Sequence, residues 1–149
     1  MRAVVQRVRR AFVEADGQET GKIGNGMVVF LGIGKGDSQE DIDYLAEKIL
    51  DLRIFPDEKH PINRSLRDVG GEILLISQFT LYGDCRHGRR PSFDAAETPT
   101  QAEATYRAFA ECLRRSGFPP QEGVFGAMMV VHVENDGPVT ILLDSEKRF

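Results

Sequence analysis

Apolar residues along this chain change their spacing several times, and each change marks an element. Residues 2–8, 11–15 and 19–23 read as strands, separated by turn residues at Asp16-Gly17 and followed by Gly24-Asn25-Gly26. A buried run follows from Met27 to Ile33. Ser38-Gln39-Glu40-Asp41 then reads as a helix start, with an acid three residues after the cap. Ile42, Leu45, Ile49 and Leu52 recur at helical spacing behind it. From Pro56 to about Gly71 no period holds, and the stretch is expected to be irregular. Glu72 to Tyr82 reads as one strand, and its unbroken Ile73-Leu74-Leu75-Ile76 fits a strand buried on both faces. Thr98-Pro99-Thr100-Gln101 opens a second helix with Ala102, Tyr106, Phe109 and Leu113 on one side, ended by Gly117 and Pro119. Two final strands are expected at 127–133 and 139–143, joined by a tight turn at Asn135-Asp136-Gly137. Pro138 is odd there, because it removes an N–H where the return strand should begin to pair.

This pattern is α+β: two main helices on mostly antiparallel sheet. The 149 residues fit one domain, 1–149, and no internal repeat or low-complexity tract divides them. With 41% hydrophobic and 28% charged residues the chain is expected to fold rather than stay disordered. A formal net charge of −4 argues against coating nucleic acid with the whole surface but leaves room for a local basic patch. Cys85 and Cys112 form neither a CxxC nor a metal-ligand spacing, which favours a reducing compartment. The basic opening MRAVVQRVRRAF has too short an apolar run for a signal peptide or a membrane span. A cytoplasmic protein with no membrane partner is therefore expected.

Gly32-Ile33-Gly34-Lys35-Gly36-Asp37-Ser38 joins a strand to a helix and imitates a phosphate-binding loop. That motif requires glycine where Val29 stands and Ser or Thr where Gly36 stands, so Ser38 as a plain helix cap is the better reading. His60, His87 and His132 have no partner at ligand spacing, and no metal site is expected. His132 alternates with valines and reads as structural or solvent-facing. No G-x-S-x-G elbow is present.

Ser77-Gln78-Phe79-Thr80-Leu81-Tyr82 ends the apolar strand in abruptly polar residues. It reads either as a strand emerging into water or as a site at a strand end, where N–H groups and hydroxyls face a ligand. Arg86, Arg89 and Arg90 cluster directly after it, either simply solvated or set to meet phosphate.

SQFTLY at 77–82 together with NDGPVT at 135–140 resembles the two motifs of the D-aminoacyl-tRNA deacylases of the bacterial and eukaryotic type. The opening MRAVVQRV, GRRPSF at 88–93 and the overall length match as well, so the resemblance covers essentially the whole chain. It implies a barrel-like core, a homodimer, no metal and no cofactor. The implied reaction is hydrolysis of the ester between a D-amino acid, or glycine, and the 3′-terminal adenosine of tRNA. Backbone N–H groups of Phe79 and Thr80 would meet the oxyanion, with Ser77 and Gln78 shaping the pocket. Gly137-Pro138 would be a cis peptide that enters the partner subunit's site and excludes L-amino acids. Arg86, Arg89 and Arg90 are the candidate tRNA contacts.

A threonine nucleophile needs an adjacent base, and none lies near Thr80 in the sequence. Thr80 is therefore expected to act through position and its N–H, with the ribose 2′-hydroxyl assisting water. Two other readings compete: a non-catalytic tRNA- or RNA-binding module, and a general small-ester hydrolase.

Overall fold

The computed structural model describes residues 1–148; Phe149, the last residue of the expected domain, lies outside them. The elements run β1 (Arg2–Ala15), β2 (Gln18–Ile23), β3 (Gly26–Gly32), α1 (Gln39–Asp51), α2 (Leu66–Val69) and β4 (Glu72–Ser77), then a 3-10 turn (Phe79–Tyr82), α3 (Pro99–Arg115), β5 (Gln121–Glu122) and β6 (Met129–Asp144).

The sheet is mixed, with antiparallel pairing predominant as expected and a parallel part added at β4 and β5. β1 runs antiparallel to β2, β3 and β6, whereas β3–β4 and β4–β5 are parallel. Its order β2-β1-β3-β4-β5 curls until β5 meets β2, giving a nearly closed barrel. Gly21 permits that closure, since a Cβ there would stand 2.7 Å from the carbonyl oxygen of Glu122.

Two expected strands, 2–8 and 11–15, are one. β1 pairs with β3 through its first half and β2 through its second, while β6 follows it along nearly its whole length. The expected hairpin at Asn135-Asp136-Gly137 does not exist. Gln6 faces Thr140 and Val8 faces Asn135, so β6 sets four residues, 136–139, against the single Arg7 and bulges within one continuous strand. A bulge has no ladder bond to give up, which is why Pro138 is tolerated. The Glu72–Tyr82 strand ends at Ser77, because Gln78 leaves the extended conformation (φ −145°, ψ 78°) and Phe79–Tyr82 coil into the 3-10 turn.

Ser38 caps α1 as expected: the Asp41 carboxylate accepts from the Ser38 N–H at 2.8 Å and from its hydroxyl at 2.9 Å. At α3, Thr98 occupies the cap position without a side-chain bond, and the Phe118 N–H closes the far end on the Leu113 carbonyl at 3.0 Å. The stretch expected to be irregular contains α2, started by a Ser65–Asp68 capping box. Alternation on β3 and β4 sends Met27, Val29, Leu31, Ile73 and Leu75 toward α1 and α3. The same strands send Val28, Leu74 and Ile76 to the other face, into a second cluster with Val8, Ala11, Val13 and Ile23. Burial on both faces is what the unbroken run Ile73–Ile76 required.

Candidate active site

β4 delivers Ser77 to the sheet's C-terminal edge, and the change of direction at Gln78 opens a concavity beside it. A pocket of about 340 Å³ lies there. Leu31, Ile33, Ser77, Gln78 and Phe79 line it. Phe93, Ala96 and Glu97 come from the chain leading into α3, Pro99 and Ala102 from its first turn, and Phe125-Gly126 from the loop before β6. The lining is mostly apolar with few polar groups, the usual character of a small-molecule site.

The backbone of Gln78 is fixed at both ends: its N–H donates to the Leu31 carbonyl at 2.8 Å, and its carbonyl accepts from the Leu81 N–H at 3.3 Å. Its side-chain amide donates to the Thr80 hydroxyl oxygen. An amide is no base, so that hydroxyl has no activating partner in this contact. Phe79 and Thr80 begin the 3-10 turn, where N–H groups precede any carbonyl of the turn that could accept them. Among the described residues neither N–H has a hydrogen-bond partner. The Phe79 ring is 58% exposed at the pocket mouth and meets Phe93 edge-on, with centroids 5.0 Å apart.

The basic segment 86–90 lies in a small loop closed by Asp84 and Ser92, whose backbones exchange bonds of 2.7 and 2.9 Å. Arg86 is turned back on Asp84, Nη2 to Oδ2 at 2.6 Å. The Arg86 side chain and N–H hold the Asp84 carboxyl down to about 2. Arg89 and Arg90 are exposed, and among the described residues neither lies in an ion pair.

Gly137-Pro138 is cis, and both residues are exposed. Neither lines the pocket of its own chain. Arg7, nearly buried, underlies the bulge: Nε donates to the Asp136 carbonyl at 2.8 Å, and Nη1 to the carbonyls of Ile54 at 2.6 Å and Pro61 at 2.9 Å. Asn135 ties the bulge across its neck, donating to the Val139 carbonyl at 3.1 Å and accepting from its N–H at 2.8 Å. His132 is exposed as expected, stacked on Phe12 with centroids 4.1 Å apart and 2.7 Å from the Glu14 carboxylate.

The structure thus brings Ser77, Gln78 and Phe79 to one pocket with Thr80 beside them, and leaves Gly137-Pro138 elsewhere on the chain. Sequence reasoning missed the walls from Ala96, Glu97, Ala102 and Phe125. Phe125 alone carried a signal, as an aromatic residue in a connecting stretch.

The model of the D-Tyr-tRNA(Tyr) deacylase family matches residues 4–144. The chain belongs to this family. A D-aminoacyl-tRNA deacylase of Syntrophomonas wolfei is 59% identical over 149 residues, covering all of both chains. One of Halothermothrix orenii is 56% identical over the same span. Among solved structures, "c-Myc DNA Unwinding Element Binding Protein" is 44% identical with a TM-score of 0.91, covering 97% of this chain and 98% of that one. A probable eukaryotic D-amino acid tRNA deacylase superposes with a TM-score of 0.80 over 95% of this chain at 17% identity, which shows the shared deacylase fold. No helix among the described residues is long and apolar enough to cross a membrane. They also contain no group of three or more His, Cys, Asp or Glu able to hold a metal ion.

Proposed function

We propose that this chain hydrolyses the ester joining a D-amino acid to the 3′-terminal adenosine of tRNA, and that it treats glycyl-tRNA in the same way. The observation that carries this reading is the pair of unpartnered N–H groups on Phe79 and Thr80, at the mouth of a mostly apolar pocket shaped by Ser77 and Gln78. Water attacks the ester carbonyl carbon, negative charge gathers on the carbonyl oxygen, and the two N–H groups stabilise it. One such donor contributes roughly 3–4 kcal/mol in hydrolases. The bond to the ribose 3′-oxygen then breaks and that oxygen takes a proton. Thr80 serves by its N–H, since its hydroxyl is engaged by the Gln78 amide. The neighbouring 2′-hydroxyl of the substrate assists the water, so a 2′-deoxy substrate is cleaved far more slowly.

The gate against L-amino acids is Gly137-Pro138 of a second copy. Both residues are exposed, both lie outside their own pocket, and Arg7 and Asn135 brace them from behind. In a two-fold dimer each surface is used twice, so each chain could complete the other's site. Glycine has no side chain to clash with the gate and passes it. Arg89 and Arg90, with Arg86 less free beside Asp84, meet the phosphates near the acceptor end. The enzyme acts in the cytoplasm, where tRNA is charged.

A non-catalytic nucleic-acid-binding module is the competing reading, favoured by the exposed Arg89 and Arg90. Incubation with D-tyrosyl-tRNA, glycyl-tRNA, L-tyrosyl-tRNA and a simple D-tyrosine ester separates the readings. Rapid release from the first two substrates only is expected. Binding without turnover selects the module, equal turnover of the simple ester selects a general esterase, and intact glycyl-tRNA overturns the steric gate.

A further inference from the structure

The 3-10 turn Phe79–Tyr82 is held from outside by a side chain distant in sequence. Arg2, on β1, donates from Nη1 to the Leu81 carbonyl at 3.1 Å, and its guanidinium lies 4.5 Å from the centroid of the Tyr82 ring. Its Nε donates to Asp144 Oδ2 at 3.2 Å. That carboxylate is 1% exposed and is itself fixed by the Glu146 N–H, which donates to Oδ1 at 2.7 Å. Close backbone at Gly32 and Gly34 confines the turn as well. The Tyr82 ring fills a notch at Gly34, where any Cβ would collide with it. Gly32 leaves room for the Gln78 carbonyl oxygen and the Leu81 Cβ, which a Cβ would approach to 3.0 and 3.1 Å.

We propose that Arg2 is a positioning residue for deacylation: it locks the last two residues of the turn and thereby aims the N–H groups of its first two. This rests on the reading of Phe79 and Thr80 given above. Arg2 touches no reacting atom. Its grip is on a carbonyl and a ring, so it fixes both the height and the rotation of the turn. Donor arrays act only when held to a fraction of an ångström, and a misplacement of about 1 Å can cost on the order of 100-fold in rate. Because the donors strengthen as charge develops, their misplacement lowers kcat more than it raises KM.

The test measures kcat and KM on D-tyrosyl-tRNA for the full-length Arg2→Met, Arg2→Lys and Tyr82→Leu proteins and the Arg2→Met/Tyr82→Leu double variant, with thermal melting alongside. Arg2→Met keeps an apolar stem over the ring but no donor. It is expected to lower kcat roughly 10- to 100-fold with KM within about twofold, at assay temperatures below its Tm. Arg2→Lys restores a donor toward Leu81 and recovers most of that loss. The effects of Arg2→Met and Tyr82→Leu combine less than additively, as partners in one contact do. If Arg2→Met does not fold, Tyr82→Leu alone decides, since it removes the platform on which the guanidinium lies. An unchanged kcat in the folded variants, a change in KM alone, or a loss matching the unfolded fraction overturns the inference. Ala102→Phe, which fills the pocket, separates the site from its support. If it too leaves cleavage intact, the site reading fails and takes the inference with it. If it abolishes cleavage while Arg2→Met does not, only the role of Arg2 falls.

Discussion

Tyr82 and Tyr106 are both kept protonated by their surroundings. Burial raises the Tyr82 phenol well above its ordinary 10.0, and the nearby Asp37 carboxylate adds to the effect. Burial does the same for Tyr106, with the Glu122 carboxylate adding to it; the Tyr106 hydroxyl donates to the Leu75 carbonyl at 3.1 Å. The unfolded chain releases these protons near pH 10 while the folded chain retains them. Between the two values the unfolded state binds fewer protons, so stability falls as pH rises. Near-ultraviolet titration of the folded protein should therefore show Tyr82 and Tyr106 silent around pH 10. Both should ionise there once urea unfolds the chain, and urea midpoints should decline above that pH. Ionisation of Tyr82 or Tyr106 near pH 10 in the folded state would contradict the burial of both rings.

At the scale of elements, the bulge on β6 is the least ordinary piece of architecture. Residues 136–139 leave the ladder with β1 and are closed by the Asn135 side chain, which bonds both the N–H and the carbonyl of Val139. Those two bonds replace ladder bonds the bulge cannot make. Asn135→Ala should lower stability by about 1–3 kcal/mol, since it leaves backbone groups of the half-buried neck without partners. The urea midpoint measures that. The same variant should cleave L-tyrosyl-tRNA faster than the parent while its D-tyrosyl-tRNA rate holds. Loss of stability without any gain of L-cleavage would separate the bulge from chiral selection. The sequence pointed to this element but suggested the wrong form for it: Asn-Asp-Gly looks the same in a hairpin turn as in a bulge, and the pairing of β1 along both halves of β6 decides between them.

For the whole molecule, the gate and the basic loop give opposite kinds of test. If Arg89 and Arg90 meet phosphate, neutral substitutions should weaken tRNA binding and flatten its salt dependence by about one unit of slope for each phosphate no longer neutralised. An unchanged slope assigns both to a solvated loop. The proposed gate is tested with mixed dimers. A chain altered at Gly137 and Pro138, provided it folds and dimerises, should cleave both D- and L-tyrosyl-tRNA. Mixed with a large excess of a chain altered at Phe79 and Thr80 but carrying an intact gate, it should lose L-cleavage while D-cleavage persists. L-cleavage that survives in mixed dimers confirmed by mass would show that each chain gates its own pocket.

Local physics alone determined much of this chain. Ser38 with Asp41 starts a helix by chemistry contained in four residues, and Ile73–Ile76 demands burial on both faces wherever it sits. Motif order along the chain likewise pointed to the family, because residue identity survives without coordinates. Tertiary structure decided what depends on partners far away in sequence. Phe79–Tyr82 alternates like a strand, yet no neighbour pairs with it past Leu31–Ser77, so it coils. The two-residue β5 is invisible in sequence, because its pairing comes from β4 rather than from its own pattern. The pocket walls join residues from Leu31 to Gly126. Arg2 meets Leu81 only because the barrel brings the first strand beside the turn, a proximity that no spacing along the chain encodes.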